Sequence, residues 1–112
     1  MTERSLNKEE QRQARELAHA AWGAELSSAL EELAVLFSDW QKGRIDAFQL
    51  SDAIHQFNDG QSRELFKRYR NGPRPEELAA RAIAWELVPP SEIPSGLRRA
   101  LADRIERWRK RA

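Results

Sequence analysis

The chain has 112 residues, 40% hydrophobic and 33% charged, with a net charge of +1, which describes one globular domain with a modest core rather than a disordered polymer. It contains no Cys, so disulfides and thiolate metal sites are excluded. No stretch approaches the ~18 consecutive apolar residues of a membrane span, and Met1 to Ser5 carries charges of both signs with no apolar run behind it, so no secretory signal is expected and a cytoplasmic protein of bacterial type is the default.

The first predicted element is a long helix over about residues 7–41. Ser5 or Asn7 can cap it, with Glu9 and Glu10 well placed in the first turn. From Lys8 to Glu16 almost nothing is apolar, so this end is expected to overhang in solvent. Gly23 costs about 1 kcal/mol against Ala inside a helix and allows a bend there. Leu26, Leu30, Leu33, Phe37 and Trp40 follow at spacings of four, three, four and three, which places them on one face as a buried seam. Unbroken, this helix would be roughly 50 Å long at ~1.5 Å per residue, against a radius of gyration near ~13 Å for a compact domain of this size. Either it bends near Gly23, or a second copy or another protein covers the overhang. That makes Trp22 and Leu26 candidate interaction residues.

Lys42-Gly43-Arg44 ends the helix, with Gly43 suited to the left-handed C′ position. The second helix, about 46–59, has Asp46 and Gln49 in capping-box register and Ile45 and Leu50 as a hydrophobic staple. It is expected to bury Leu50, Ala53, Ile54 and Phe57 and to stop at Asn58-Asp59-Gly60. The third, about 62–71, turns Leu65, Phe66 and Tyr69 inward. Gly72-Pro73-Arg74-Pro75 breaks the chain, and Pro75 opens a fourth helix over about 75–88. Its core face is Leu78, Ala79, Ala82, Ile83, Trp85 and Leu87. After a turn in which Ile93 dips inward, Ser95 is expected to cap a fifth helix, about 95–111, with Leu97, Leu101, Ile105 and Trp108 on one side. No alternating run suggests a strand. The expectation is an all-α, single-domain bundle of about five helices over 1–112.

Charge is unevenly spread. Residues 1–45 hold six Lys/Arg and eight Asp/Glu, residues 46–60 three Asp and no Lys or Arg, and residues 61–112 thirteen Lys/Arg and seven Asp/Glu. The simpler reading is mutual attraction of an acidic and a basic half. The other is a nucleic-acid footprint on the third and fifth helices through Arg63, Lys67, Arg68, Arg70, Arg98, Arg104, Arg107 and Arg111, as phosphate contact rather than base readout. A helix-turn-helix built around Gly60 is disfavoured, because His55, Gln56, Asp59 and Gln61 stand where small or apolar residues belong.

Glu16-x-x-His19 and Asp52-x-x-His55 have the acid-x-x-His spacing of di-iron bundles, which also need carboxylates from two further helices. The second helix is too short for such a site, and no metal or cofactor is expected. His55 with Arg63 and Glu64 reads as a polar clasp between two helices rather than a catalytic group, since no activated nucleophile accompanies it. No catalytic residue is assigned.

The run Trp40-x-x-Gly43-x-Ile45, Leu50, Ile54-His55-x-Phe57-x-x-Gly60-x-x-Arg63-Glu64-Leu65 resembles a family of small bacterial all-helical proteins. The resemblance covers about residues 33–70. It implies a bacterial cytoplasmic origin, marks His55, Arg63 and Glu64 as polar positions to test, and brings no activity, substrate or cofactor. The expected function is a small non-enzymatic interaction or regulatory module acting through the long first helix, with a protein partner or homodimer; nucleic-acid binding is the alternative.

Overall fold

The computed structural model describes residues 5–111, all-helical and without a strand among them; the reading of residues 1–4 as lacking a secretory signal lies outside the described residues. Helix α1 runs Lys8–Gln41. Asn7 caps it through a capping box: its side chain accepts from the Glu10 N–H at 2.8 Å, and the Glu10 carboxylate accepts from the Asn7 N–H at 3.0 Å. It passes Gly23 without a break, and nothing lies within 4 Å of where a Cβ at Gly23 would stand. It ends at Gly43, whose φ of 75° closes the helix with bonds from Gly43 N–H to Trp40 O and Arg44 N–H to Asp39 O.

Helix α2 (Ala47–Phe57) starts on a second capping box, Asp46 with Gln49. The expected stop at Asn58-Asp59-Gly60 is corrected: residues 58–62 form one π-helical turn, Asn58 and Arg63 stay right-handed, and α3 (Arg63–Asn71) continues the same rod. A π turn takes up one extra residue without leaving the helix, so the Asn-Asp-Gly cluster widens the rod instead of ending it. Gly72 does end it, because a Cβ there would stand 2.3 Å from the Arg68 carbonyl oxygen.

Helix α4 (Pro75–Ala84) begins with Pro at its first turn and stops earlier than the sequence suggests. Glu86 takes φ 55°, and the Glu86 and Leu87 N–H groups bond back to Ile83 and Ala82. This is a Schellman ending with Glu where Gly is usual. The last segment divides at Leu101 into α5 (Ser95–Ala100) and α6 (Ala102–Arg111). Ser95 is inside α5 rather than its cap; Pro94 occupies that place, with no side-chain cap bond.

These elements form two unequal parts. The N-terminal half of α1 packs on α4 and α5, and α6 packs on α4, around Leu6, Ala14, Leu17, Ala21, Ala79, Ala82, Ile83, Val88, Leu97, Leu101 and Ile105. Leu97 and Leu101 are completely buried, each worth about 1.5–3 kcal/mol of transfer free energy. The C-terminal half of α1 instead pairs with the antiparallel α2–α3 rod as a two-helix hairpin. The molecule is consequently elongated, 56 × 26 × 26 Å with a radius of gyration of 17.5 Å.

The two ends of α1 are thus reversed relative to expectation. Its N-terminal half is the covered one, because Ala14, Leu17, Ala18 and Ala21 make a narrow small-residue face that the alanines of α4 approach closely. The leucine-aromatic seam is the half left partly open: Leu30, Phe37 and Trp40 remain 46%, 41% and 43% exposed. A single antiparallel rod cannot wrap a stripe that wide.

A candidate interaction face on the helical hairpin

The hairpin and the bundle meet at a polar clasp. Arg81 on α4, buried, donates to both Glu25 carboxylate oxygens at 3.1 and 3.2 Å and lies 3.2 Å from the Tyr69 hydroxyl. Tyr69 donates to Glu25 at 2.5 Å, and Arg68 stands 3.6 Å from the same carboxylate. Burial pushes the Glu25 carboxyl up, but the hydrogen bonds from Arg81 and Tyr69 and the charges of Arg81 and Arg68 outweigh it, holding it below its usual range. Burial, then donation to Glu25, raises the Tyr69 phenol above its ordinary value. Trp22 stacks on Tyr69 at 5.7 Å and meets Phe66 edge-on at 6.0 Å. Arg81 also lies over the Trp85 ring at 4.4 Å. Sequence periodicity places Arg81 among core alanines and gives no hint of its role. The only available signal was a charge on an otherwise apolar face.

This clasp defines one side of the hairpin. Gln61 donates to Glu32 there at 3.2 Å, and a shallow groove of about 450 Å³ is lined by Glu25, Glu32, Gln61, Glu64 and Arg68. Helical spacing carries Ile54, Asn58 and Phe66 to the opposite side of the α2–α3 rod. That side is different in kind. On α1, Gly23, Ser27, Leu30, Ala34, Phe37 and Gln41 recur at four- and three-residue intervals, all exposed and none charged. On α2–α3, Ser51, Ile54, Asn58, Ser62 and Phe66 form a parallel uncharged row. Trp40 and Phe48, the latter 82% exposed, stand at the tip.

The predicted site residues scatter across this frame. Leu26 is half-buried near the open face, and Trp22 is half-buried against the clasp. The side chains of His55, Arg63 and Glu64 are all exposed and make no hydrogen bond or ion pair among the described residues, so the expected clasp between them is not formed. The reason is the π turn: His55 and Arg63 lie on one continuous rod, roughly 12 Å apart at ~1.5 Å per residue, instead of meeting across a tight turn.

The basic residues do not make one surface. Arg63, Lys67, Arg68 and Arg70 belong to the hairpin, whereas Arg98, Arg104, Arg107 and Arg111 belong to the bundle. Glu77 pairs with Arg104 at 3.1 Å and Arg107 at 3.3 Å, Arg68 is engaged by Glu25, and Arg111 lies over the Trp108 ring at 4.7 Å. Trp85 and Trp108 complete that corner: Trp85 Nε1–H donates to the Trp108 carbonyl and Trp108 Nε1–H to Glu77. Glu16 and His19 sit on the N-terminal half of α1, away from Asp52 and His55 on α2, and among the described residues no group of three or more His, Asp or Glu is placed to hold a metal ion. No described helix is long and apolar enough to cross a membrane.

No family model, curated protein or solved structure matches the chain, so those comparisons leave the resemblance of residues 33–70 where the sequence put it.

Proposed function

We propose that this chain is a small non-enzymatic protein–protein interaction module whose docking surface is the uncharged face of the α1/α2–α3 hairpin. One observation carries the reading. In a sequence that is 33% charged, two helical rows, exposed except at half-buried Ser62, hold no charged residue and present Leu30, Phe37, Ile54 and Phe66, with Arg70 over the Phe66 ring and Trp40 and Phe48 at the tip. Charge depletion with aromatic enrichment is the compositional mark of an interface core. The four large side chains on the rows leave on the order of 350 Å² of apolar surface in water, taking about 150–250 Å² for each aromatic, which lies within the range of a monomer's largest patch.

The test is capture of binding partners by the full chain in a cytoplasmic extract, with and without nuclease, using Leu30→Glu as the control. A stoichiometric protein (a second copy included) that survives nuclease and is lost with Leu30→Glu supports the reading. Binding that vanishes with nuclease and is unaffected by Leu30→Glu overturns it in favour of nucleic acid held by the exposed Arg63 and Lys67 of α3, and such binding would fall steeply with salt.

A further inference from the structure

We infer that the bundle carries a small-molecule site of its own, in the cavity between the α4–α5 loop and helices α5 and α6. Its ligand is a zwitterion on an apolar skeleton: an apolar amino acid, or a short apolar peptide with free termini. The site is separate from the hairpin face, so either reading can fail without the other.

The cavity holds about 620 Å³, more than the hairpin groove, and falls within the ~300–1,000 Å³ of pockets that take small ligands. Its floor is apolar. Ile83 near the end of α4 and Val88 in the loop are buried, with Leu87 and Ile93 half-buried beside them. Its wall is stiff, because Pro89 and Pro90 fix two successive φ angles. The loop then closes a 3₁₀ turn in which the Ile93 N–H donates to the Pro90 carbonyl at 3.1 Å. A ligand meets a surface already formed, which lowers the ordering cost of binding.

Glu86, Arg98 and Arg109 bring charge to this cavity. Arg109 is engaged by Glu106 at 3.5 Å. The side chains of Glu86 and Arg98 make no hydrogen bond or ion pair among the described residues, not even with each other. The arginines of the neighbouring corner are by contrast taken up, Arg104 and Arg107 by Glu77 and Arg81 by Glu25. One acid and one base that share a cavity without pairing offer separate partners to an ammonium and a carboxylate. A plain apolar anion would use Arg98 and meet Glu86 as a like charge, and a plain apolar cation would do the reverse. A zwitterion uses both, and its body covers the floor.

The backbone of Glu86 adds a second argument. Its φ of 55° is the helix-ending conformation for which glycine is the unstrained choice. The helix end draws nothing from the carboxylate, which bonds no backbone group. Non-glycine residues held in this conformation cluster at ligand clamps, where the side chain is what the strain retains.

The experiment is titration of the isotope-labelled full chain, followed by its amide shifts. The probes are phenylalanine and the dipeptide Leu-Phe, with hydrocinnamate and phenethylamine as analogues that each lack one charge. Saturable shifts are expected at the amides of Glu86, Leu87, Val88, Ile93 and Arg98 with a zwitterion, and the tighter of the two identifies its source. The single-charge analogues should bind about three- to tenfold more weakly, and Glu86→Gln and Arg98→Gln should weaken the zwitterion by as much. Both positions are exposed, and the same spectra report the fold. Glu86→Gln removes the charge while keeping the Cβ and the backbone strain, and Leu30→Glu on the hairpin should leave the titration unchanged. Hydrocinnamate binding as tightly as the zwitterions, or Glu86→Gln binding them without loss, overturns the zwitterion. No saturable shift at these amides with either zwitterion up to about 10 mM, ten times a weak ~1 mM Kd, overturns the site.

Discussion

Replacing Arg81 with Met tests whether the clasp holds the hairpin to the bundle. Met retains most of the aliphatic stem, so the packing around this position of α4 is largely kept and the loss is that of the guanidinium. That group donates to Glu25 at 3.1 and 3.2 Å and lies 4.4 Å from the Trp85 ring centroid. Breaking a fully buried pair costs about 3–5 kcal/mol because an uncompensated charge remains. Here Glu25 retains 19% side-chain exposure and keeps Tyr69 and Arg68 as partners, so the residual penalty is about 2 kcal/mol, with about 0.5–1 kcal/mol more for the lost cation–π contact. Glu25→Gln should cost about as much from the other side, since it leaves the buried Arg81 charge without a counter-ion. In the double variant the two losses should overlap, giving a coupling of about 1–2 kcal/mol. Urea unfolding measures all three, and at about 1–3 kcal/mol per molar urea the single variants should shift the midpoint by about 1–2 M. Amide exchange should locate the effect, with protection falling in α2–α3 before the bundle core, since the hairpin rests on one seam and this clasp. Single losses below about 0.5 kcal/mol with no coupling would refute the clasp as an energetic link.

Two further outcomes follow from local geometry. Glu86→Gly should raise stability by about 0.5–1 kcal/mol, because φ 55° strains any residue with a Cβ by about 1–2 kcal/mol and glycine's larger unfolded-state entropy offsets only part of that relief; a thermal melt at lower temperature than wild type would count against it. The second concerns pH. Glu25 has a folded pKa below its usual 4.5, so between those two values the unfolded chain binds the extra proton. Its contribution is therefore complete above the usual value and is lost as pH falls through the lowered one. In Glu25→Gln this acid-limb slope should shrink, and an unchanged profile of unfolding free energy against pH would show that other carboxylates carry it.

The sequence carried the fold class and most element ends through residues whose local chemistry admits few alternatives: Asn7 with Glu10, Asp46 with Gln49, Gly43, and Pro75 all stand at the ends they mark. It misled at Asn58-Asp59-Gly60, where turn-forming composition is absorbed by a π turn because Leu65 and Tyr69 still gain by lying against α1. The clasp was illegible for a different reason: Glu25 stands 44 residues from Tyr69 and 56 from Arg81, and no short-range pattern brings them together.

The error about α1 bears most on function. Large side chains dominate any reading by hydrophobic spacing, so Leu26 to Trp40 reads as the core and the stretch Lys8 to Glu16, with Ala14 in it, reads as solvent-facing. Burial obeys a further condition, the number of elements available to cover each stripe. The narrow Ala14, Leu17, Ala18, Ala21 face needs little width and receives α4 and α5, while the broad leucine-aromatic face receives one rod. An apolar face wider than its cover, with two rows that hold no charged residue, has the composition of an interface core. The partner proposed above would therefore cover the end of α1 that runs to Trp40, not the end that begins at Lys8.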